Sequence, residues 1–312
     1  MPRLYRSLRP ALRGLALAVS LATAAAAQTP TAFRVQVAGH GPAMVLLPGL
    51  ASSGATWDST VAHFQARYTC YTLTLAGFAG VPPIAQPLLA TARVQLAAYI
   101  RAHHLAPAVM VGHSLGGTFA LDFAEHYPRL VGSLVIVDAL PFYAGAWFGV
   151  KNLAAAQPIL AQMRAGMAQE TQAGYLASAR SGAATQPMTR SRAHQQELVA
   201  WGVASDMGTV NRAMEEMLGA DLRPGLTTIA SPTLVLGTWR GWQESLAGRG
   251  VALQRADFVH TFAQQYAGLK RMHFAMADHA RHFVMWDDPA WFFQQLDAFL
   301  ARPAAGVRVR GF

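Results

Sequence analysis

Residues 108–126 read AVMVGHSLGGTFALDFAEH, and they constrain this chain more than any other stretch. A short apolar run stops at Gly112; His113, Ser114, Leu115, Gly116 and Gly117 follow, and a segment with helical spacing begins. Small residues at such a junction serve either a tight turn or a side chain that must stand clear of the backbone. A serine hydroxyl is a weak nucleophile until a neighbouring base takes its proton. A G-x-S-x-G turn between strand and helix lifts that hydroxyl above the end of a sheet, where a base can reach it. Gly112, Ser114 and Gly116 hold those places, so Ser114 is the candidate nucleophile.

The surroundings supply the strand and the helix that such a turn needs. Short apolar runs at 33–37, 43–49, 68–75, 107–112 and 130–141 alternate with helical patterns, which favours an α/β layer architecture. From Pro141 to about Ala230 the spacing is helical, with Met163, Met167, Met188, Met207, Met214 and Met217 and no strand pattern. Strand patterns return at 231–237 and 271–277, with a helix expected near 255–269 and a last one after Pro289. The expected organisation is one parallel-rich sheet, built from 28–140 and 231–302, interrupted by a helical insertion at 141–230. Residues 303–312 read as a flexible tail.

Composition removes several function classes. A chain of 312 residues with 53% hydrophobic content can bury a large core, and 13% charged residues argue against disorder. The formal charge of +9 is not a nucleic-acid signature: Arg3, Arg6, Arg9 and Arg13 crowd the first fourteen residues, and no basic run follows. That basic start, the apolar stretch GLALAVSLATAAAA and Ala25-Ala26-Ala27 fit an export signal over residues 1–27. The apolar stretch is short for a membrane span, so a periplasmic or secreted protein without a stable membrane anchor is expected. Cys70 is the single cysteine, which excludes a disulfide scaffold. Gly49 to Gly54 lacks the ending of a phosphate loop, no metal-ligand cluster is spaced in the sequence, and no cofactor is expected.

With these motifs in this order, the chain resembles the α/β-hydrolases of the serine-esterase type that carry a helical cap. The resemblance covers roughly residues 33 to 300. It implies a mostly parallel sheet flanked by helices, with the cap inserted after the strand that ends at Asp138. In this family the base follows the last strand, usually as Gly-His-x-x-x-x-x-x-Pro. ADHARHFVMWDDPAW offers His279 and His282; His282 fits better through Pro289, although Arg281 stands where the glycine is usual. Most relatives carry the acid after the strand equivalent to 233–237, but that loop, GTWRGWQESLAGRG, has only Glu244. The other family placement is the end of the preceding strand, which here is Asp138. Asp138 is therefore preferred, with Glu244 and Asp257 as alternatives; Asp257 also reads as the start of a helix. The resemblance implies oxyanion donors at the backbone N–H of Leu115 and of Leu50, the residue after Pro48-Gly49. His273, inside a strand pattern, reads as packing.

The residues after Asp138 suggest the substrate. Phe142, Tyr143, Trp147 and Phe148 stand at the root of the insertion, and Trp239 and Trp242 lie in the loop expected to face it. Of these, Phe142, Tyr143, Trp147 and Trp239 are the candidate pocket residues. Apolar aromatic walls favour an acyl or aryl group over a sugar or phosphate, and flexible methionines suit a pocket that can re-pack. The methionines fit the insertion's own core equally well. The expected function is an exported carboxylesterase for small or medium apolar esters. A lactonase, an aminopeptidase, a C–C bond hydrolase or a non-catalytic binding protein could be built on the same fold.

Overall fold

The computed structural model describes residues 31–247 and 254–301. The expected export signal at 1–27 and the tail at 303–312 lie outside the described residues. Seven strands form one sheet: β1 (Phe33–Gly39), β2 (Ala43–Leu47), β3 (Thr69–Leu75), β4 (Ala108–His113), β5 (Val131–Val137), β6 (Thr233–Thr238) and β7 (Met272–Ala277). Their order across the sheet is β1-β3-β2-β4-β5-β6-β7. All neighbours are parallel except β1, which runs antiparallel along β3 at the edge.

The central strands read as near-continuous apolar runs because both faces of the sheet are covered. Alternate side chains go to opposite layers. Val45, Leu47, Met110, Leu134 and Ile136 join one core, and Met44, Leu46, Val111, Val135 and Val137 join the other. Each such side chain, fully removed from water, contributes about 1.5–3 kcal/mol. The layers are built by helices α1 (Asp58–Phe64), α2 (Leu88–Ala102) and α3 (Leu115–His126) before the insertion. Of these, α3 is buried almost end to end.

Between β5 and β6 the chain is helical: α4 (Tyr143–Phe148), α5 (Leu153–Gln169), α6 (Gln172–Ser181), α7 (Arg192–Val203) and α8 (Met207–Leu218). Four of these five start on a side-chain cap. Asn152, Thr171, Ser191 and Asp206 each accept a hydrogen bond from a backbone N–H of the first turn. Helices α6 and α7 bury no residue fully, whereas α8 buries Ala213, Met217 and Leu218. After β6 come α9 (Trp239–Ala247), α10 (Arg255–Gln264), α11 (Val284–Asp287) and α12 (Pro289–Leu300). Asp288 caps α12 and Pro289 opens it, the arrangement its sequence suggests. No described helix is long and apolar enough to cross a membrane.

Two sequence expectations change here. The strand expected over 130–141 stops at Val137, because Asp138 turns the backbone into the left-handed region at φ +43°. The stretch from Trp239, expected as a loop, is the helix α9.

Candidate active site

The parallel strands bring their C-terminal ends to one edge, and that edge carries the candidate residues. Ser114 follows β4 directly and has φ +53° and ψ −123°, a conformation that costs a non-glycine residue about 1–3 kcal/mol. Its neighbours explain how the turn persists. A Cβ on Gly112 would overlap the Gly116 carbonyl, and one on Gly116 would overlap the Leu47 carbonyl. The glycines let helix and strand close around the serine, and the Ser114 amide stays tied to the sheet by a 3.0 Å bond to the Val137 carbonyl.

Asp138 occupies the matching position on β5, with its own amide bonded at 2.7 Å to the Leu236 carbonyl. It is 2% exposed, so a carboxylate there needs donors. Four are present. Oδ2 lies 2.6 Å from His282 Nδ1 and accepts from the Thr238 hydroxyl at 2.8 Å. Oδ1 accepts from the Thr238 amide at 3.1 Å and from the Trp242 indole N–H at 3.3 Å. The His282 ring is thus held through Nδ1, and His282 lines the cavity.

His113, the residue before Ser114, is fully buried. Its Nε2–H donates to the His282 carbonyl at 3.0 Å, and its ring centroid lies 4.5 Å from that of His282. Burial, reinforced by the neighbouring His282, pushes the His113 pKa well below its ordinary value, and the imidazole is neutral. Tyr143, at the start of α4, donates its hydroxyl to the Asp138 carbonyl at 3.4 Å and lines the cavity with Ser114. Burial, helped by the charge of Asp138, raises the pKa of that phenol, so it remains a donor.

Ser114, Asp138 and His282 open on one cavity of about 500 Å³. The insertion supplies much of its wall: Trp147, Leu198, Val210, Met214 and Met217 from its helices and Met188 from the stretch between α6 and α7. Among the described residues no lysine or arginine lines it. Leu50 borders it beside Gly49, and Leu115 is the first residue of α3, where backbone N–H groups have no partner within the helix.

Of the four aromatic pocket candidates, Tyr143 and Trp147 line the cavity, in edge contact with each other at 5.8 Å. Phe142 and Trp239 do not. Phe142 is fully buried under the Arg223 guanidinium, 4.2 Å away, and Trp239 packs into the core 5.4 Å from Phe258. The helical phase of α9 turns Trp242 toward the cavity instead.

The alternative candidates lie elsewhere. Glu244 is bound by Arg240 and Arg281, each at 2.8 Å; these bonds outweigh burial and hold its carboxyl below the usual range. Asp257 is exposed in the first turn of α10, and His279 is exposed beside the loop. His273 packs edge-on to Phe299 at 6.0 Å. Thr238 and Trp242, as donors to Asp138, carry no sequence signal that could be read before the fold is known. His113 had one: it sits inside the elbow motif.

A sheet of this order, with a serine elbow after β4, an aspartate after the adjacent β5 and its histidine partner in the loop after β7, has the architecture of an α/β-hydrolase. Residues 44–295 match the alpha/beta hydrolase family, and the chain belongs to that family. A pimeloyl-[acyl-carrier protein] methyl ester esterase of Vibrio vulnificus is 30% identical over 118 residues, 37% of this chain and 45% of that protein. The chain spans less than half the length of the curated relatives it matches. Among solved structures, the enol-lactonase from Burkholderia xenovorans LB400 superposes with a TM-score of 0.66 at 16% identity, covering 86% of this chain and 96% of that one. An esterase from Exiguobacterium antarcticum gives 0.65 at 16% identity, with the same shares of each chain. At such identities the likeness is one of fold.

Proposed function

We propose that this hydrolase is an exported serine esterase for neutral, apolar esters, with Ser114 as nucleophile, His282 as base and Asp138 as the acid that orients it. The observation that carries the reading is the 2.6 Å bond between His282 Nδ1 and the buried Asp138 carboxylate, both lining the cavity that Ser114 also lines. Ser114 Oγ attacks the ester carbonyl while His282 Nε2 takes its proton. The tetrahedral oxyanion accepts from the Leu50 and Leu115 amides. The C–O bond to the alcohol breaks as His282 returns the proton to it, leaving an acyl-serine. Water then attacks under the same base and releases the acid and Ser114.

The cavity supports the substrate class. Among the described residues its wall holds one carboxylate, Asp138, and no lysine or arginine, so a neutral acyl or aryl group enters without leaving a charge unpaired. A volume near 500 Å³ suits a small or medium ester. The methyl ester esterase activity of the Vibrio relative supports the same reaction type. The basic, apolar N-terminus supports export.

A fluorophosphonate probe should label the purified protein at Ser114, and Ser114→Ala should abolish both labelling and hydrolysis of p-nitrophenyl esters while the fold stays intact. A graded series of acyl chains, with lactones and amides alongside, should favour apolar esters. An unlabelled wild-type protein would overturn the reading.

A further inference from the structure

Arg281 stands where a glycine is usual, and its contacts give it a task. Its Nε pairs with Glu244 at 2.8 Å, and its Nη1 donates to the Gln186 carbonyl at 2.7 Å and the Thr189 carbonyl at 3.2 Å. Both carbonyls belong to the stretch between α6 and α7, within the inserted helices. On the other side of His282, the Phe283 amide donates to the Met188 carbonyl at 3.0 Å. The residues immediately before and after His282 are therefore both fastened to the insertion.

One carboxylate joins the two sides. The Asp287 side chain is 1% exposed. Its Oδ2 accepts the Arg281 amide at 2.9 Å, from the loop that carries His282. Its Oδ1 accepts the Thr189 hydroxyl at 2.7 Å and the Arg190 amide at 2.9 Å, from the insertion. The Arg190 guanidinium closes the set with a 2.6 Å bond to the Asp287 carbonyl. A buried, fully paired carboxylate of this kind defines a single geometry, because any slip leaves charge or N–H groups unsatisfied.

The geometry points to the segment 186–190 as a positioning element for His282, acting through Arg281 and Asp287. Asp138 sets the ring through Nδ1 and His113 holds the carbonyl; the insertion fixes the backbone on either side. The inserted helices thus contribute to alignment of the base as well as to the cavity wall. This rests on the proposed role of His282. A displacement of a catalytic group by about 1 Å can cost up to a hundredfold in rate, so a loosened latch registers in the chemical step.

The test separates alignment from pocket shape. A small dialkyl fluorophosphate reacts with Ser114 under the same base but fills little of the cavity. Its rate of reaction, with kcat and KM for p-nitrophenyl butyrate per titrated active site, is measured for wild type, Thr189→Val, Arg281→Met and Arg281→Lys. Thr189→Val removes one hydroxyl and provides a folded variant even if Arg281→Met does not fold. The expected result is a fall of about tenfold in phosphorylation rate and kcat for Arg281→Met. Thr189→Val should show a smaller fall, KM should stay within about twofold throughout, and Arg281→Lys should recover part of the loss. Unchanged rates with only a lowered Tm, or a change confined to KM, would overturn the inference. A wild type that does not react would instead overturn the esterase reading.

Discussion

β5 is followed directly by Asp138, with φ +43° and a carboxylate turned toward His282; β6 ends beside it in Thr238, whose amide and hydroxyl both donate to that carboxylate. The family resemblance offers either strand end as a place for the acid. Here one end holds the carboxylate and the other holds donors that satisfy and aim it. What the chemistry requires is a carboxylate at one point in space, within reach of the imidazole. Either strand can deliver it, provided the other compensates for its burial.

The sharpest way to break this comparison is Asp138→Asn. Asparagine tolerates the left-handed backbone, so the fold should survive while the His282 tautomer is mis-set. The expected loss in kcat is about four orders of magnitude. A loss below tenfold would mean the acid lies elsewhere. Thr238→Val keeps the amide donor and removes the hydroxyl. It should lower kcat by about tenfold, the scale of one hydrogen bond to a charged group. If it is silent, the end of β6 contributes nothing to aiming the acid.

The neighbouring end of β4 gives a stability prediction. His113 is neutral when folded, with its pKa below the 6.5 of the unfolded chain. The unfolded state therefore binds the extra proton, and the contribution of His113 to stability is complete above pH 6.5 and falls as pH drops below it. One such group adds a slope of up to about 1.4 kcal/mol per pH unit in that window. Urea midpoints between pH 7 and 5 should fall less steeply in His113→Asn than in wild type. Smaller effects follow for the rejected acids. Glu244→Gln should cost at most severalfold in kcat, through its pairing with Arg281, and Asp257→Asn should match wild type in a parallel assay.

The elbow was legible because its constraint is local: five consecutive residues must allow one strained turn, and Gly112 and Gly116 declare it. The Asp138–His282 pair spans 144 residues, so the sequence could only rank candidates by an empty loop and a family pattern. The pocket was half legible for a different reason. Phe142 and Tyr143 are adjacent and equally apolar, but Phe142 precedes α4 and points into the core, while Tyr143 begins it and faces Ser114. For Trp239 and Trp242 the missing quantity was helical phase, because α9 was read as a loop. The succession of strands along the chain was legible from alternation of pattern, whereas their order across the sheet and the antiparallel run of β1 had no signal of their own.

Among the described residues no lysine or arginine lines the cavity, and for the proposed esterase this bears on how a catalytic cycle ends. Hydrolysis turns a neutral ester into an acid that ionises at neutral pH. Inside the cavity that anion meets a largely apolar wall and the buried Asp138 carboxylate, with no lysine or arginine among the described residues to pair with it. Holding a carboxylate in such surroundings costs several kcal/mol relative to water. The reaction itself therefore drives its product out, and the free acid should be a poor inhibitor even at concentrations where the corresponding ester saturates the enzyme.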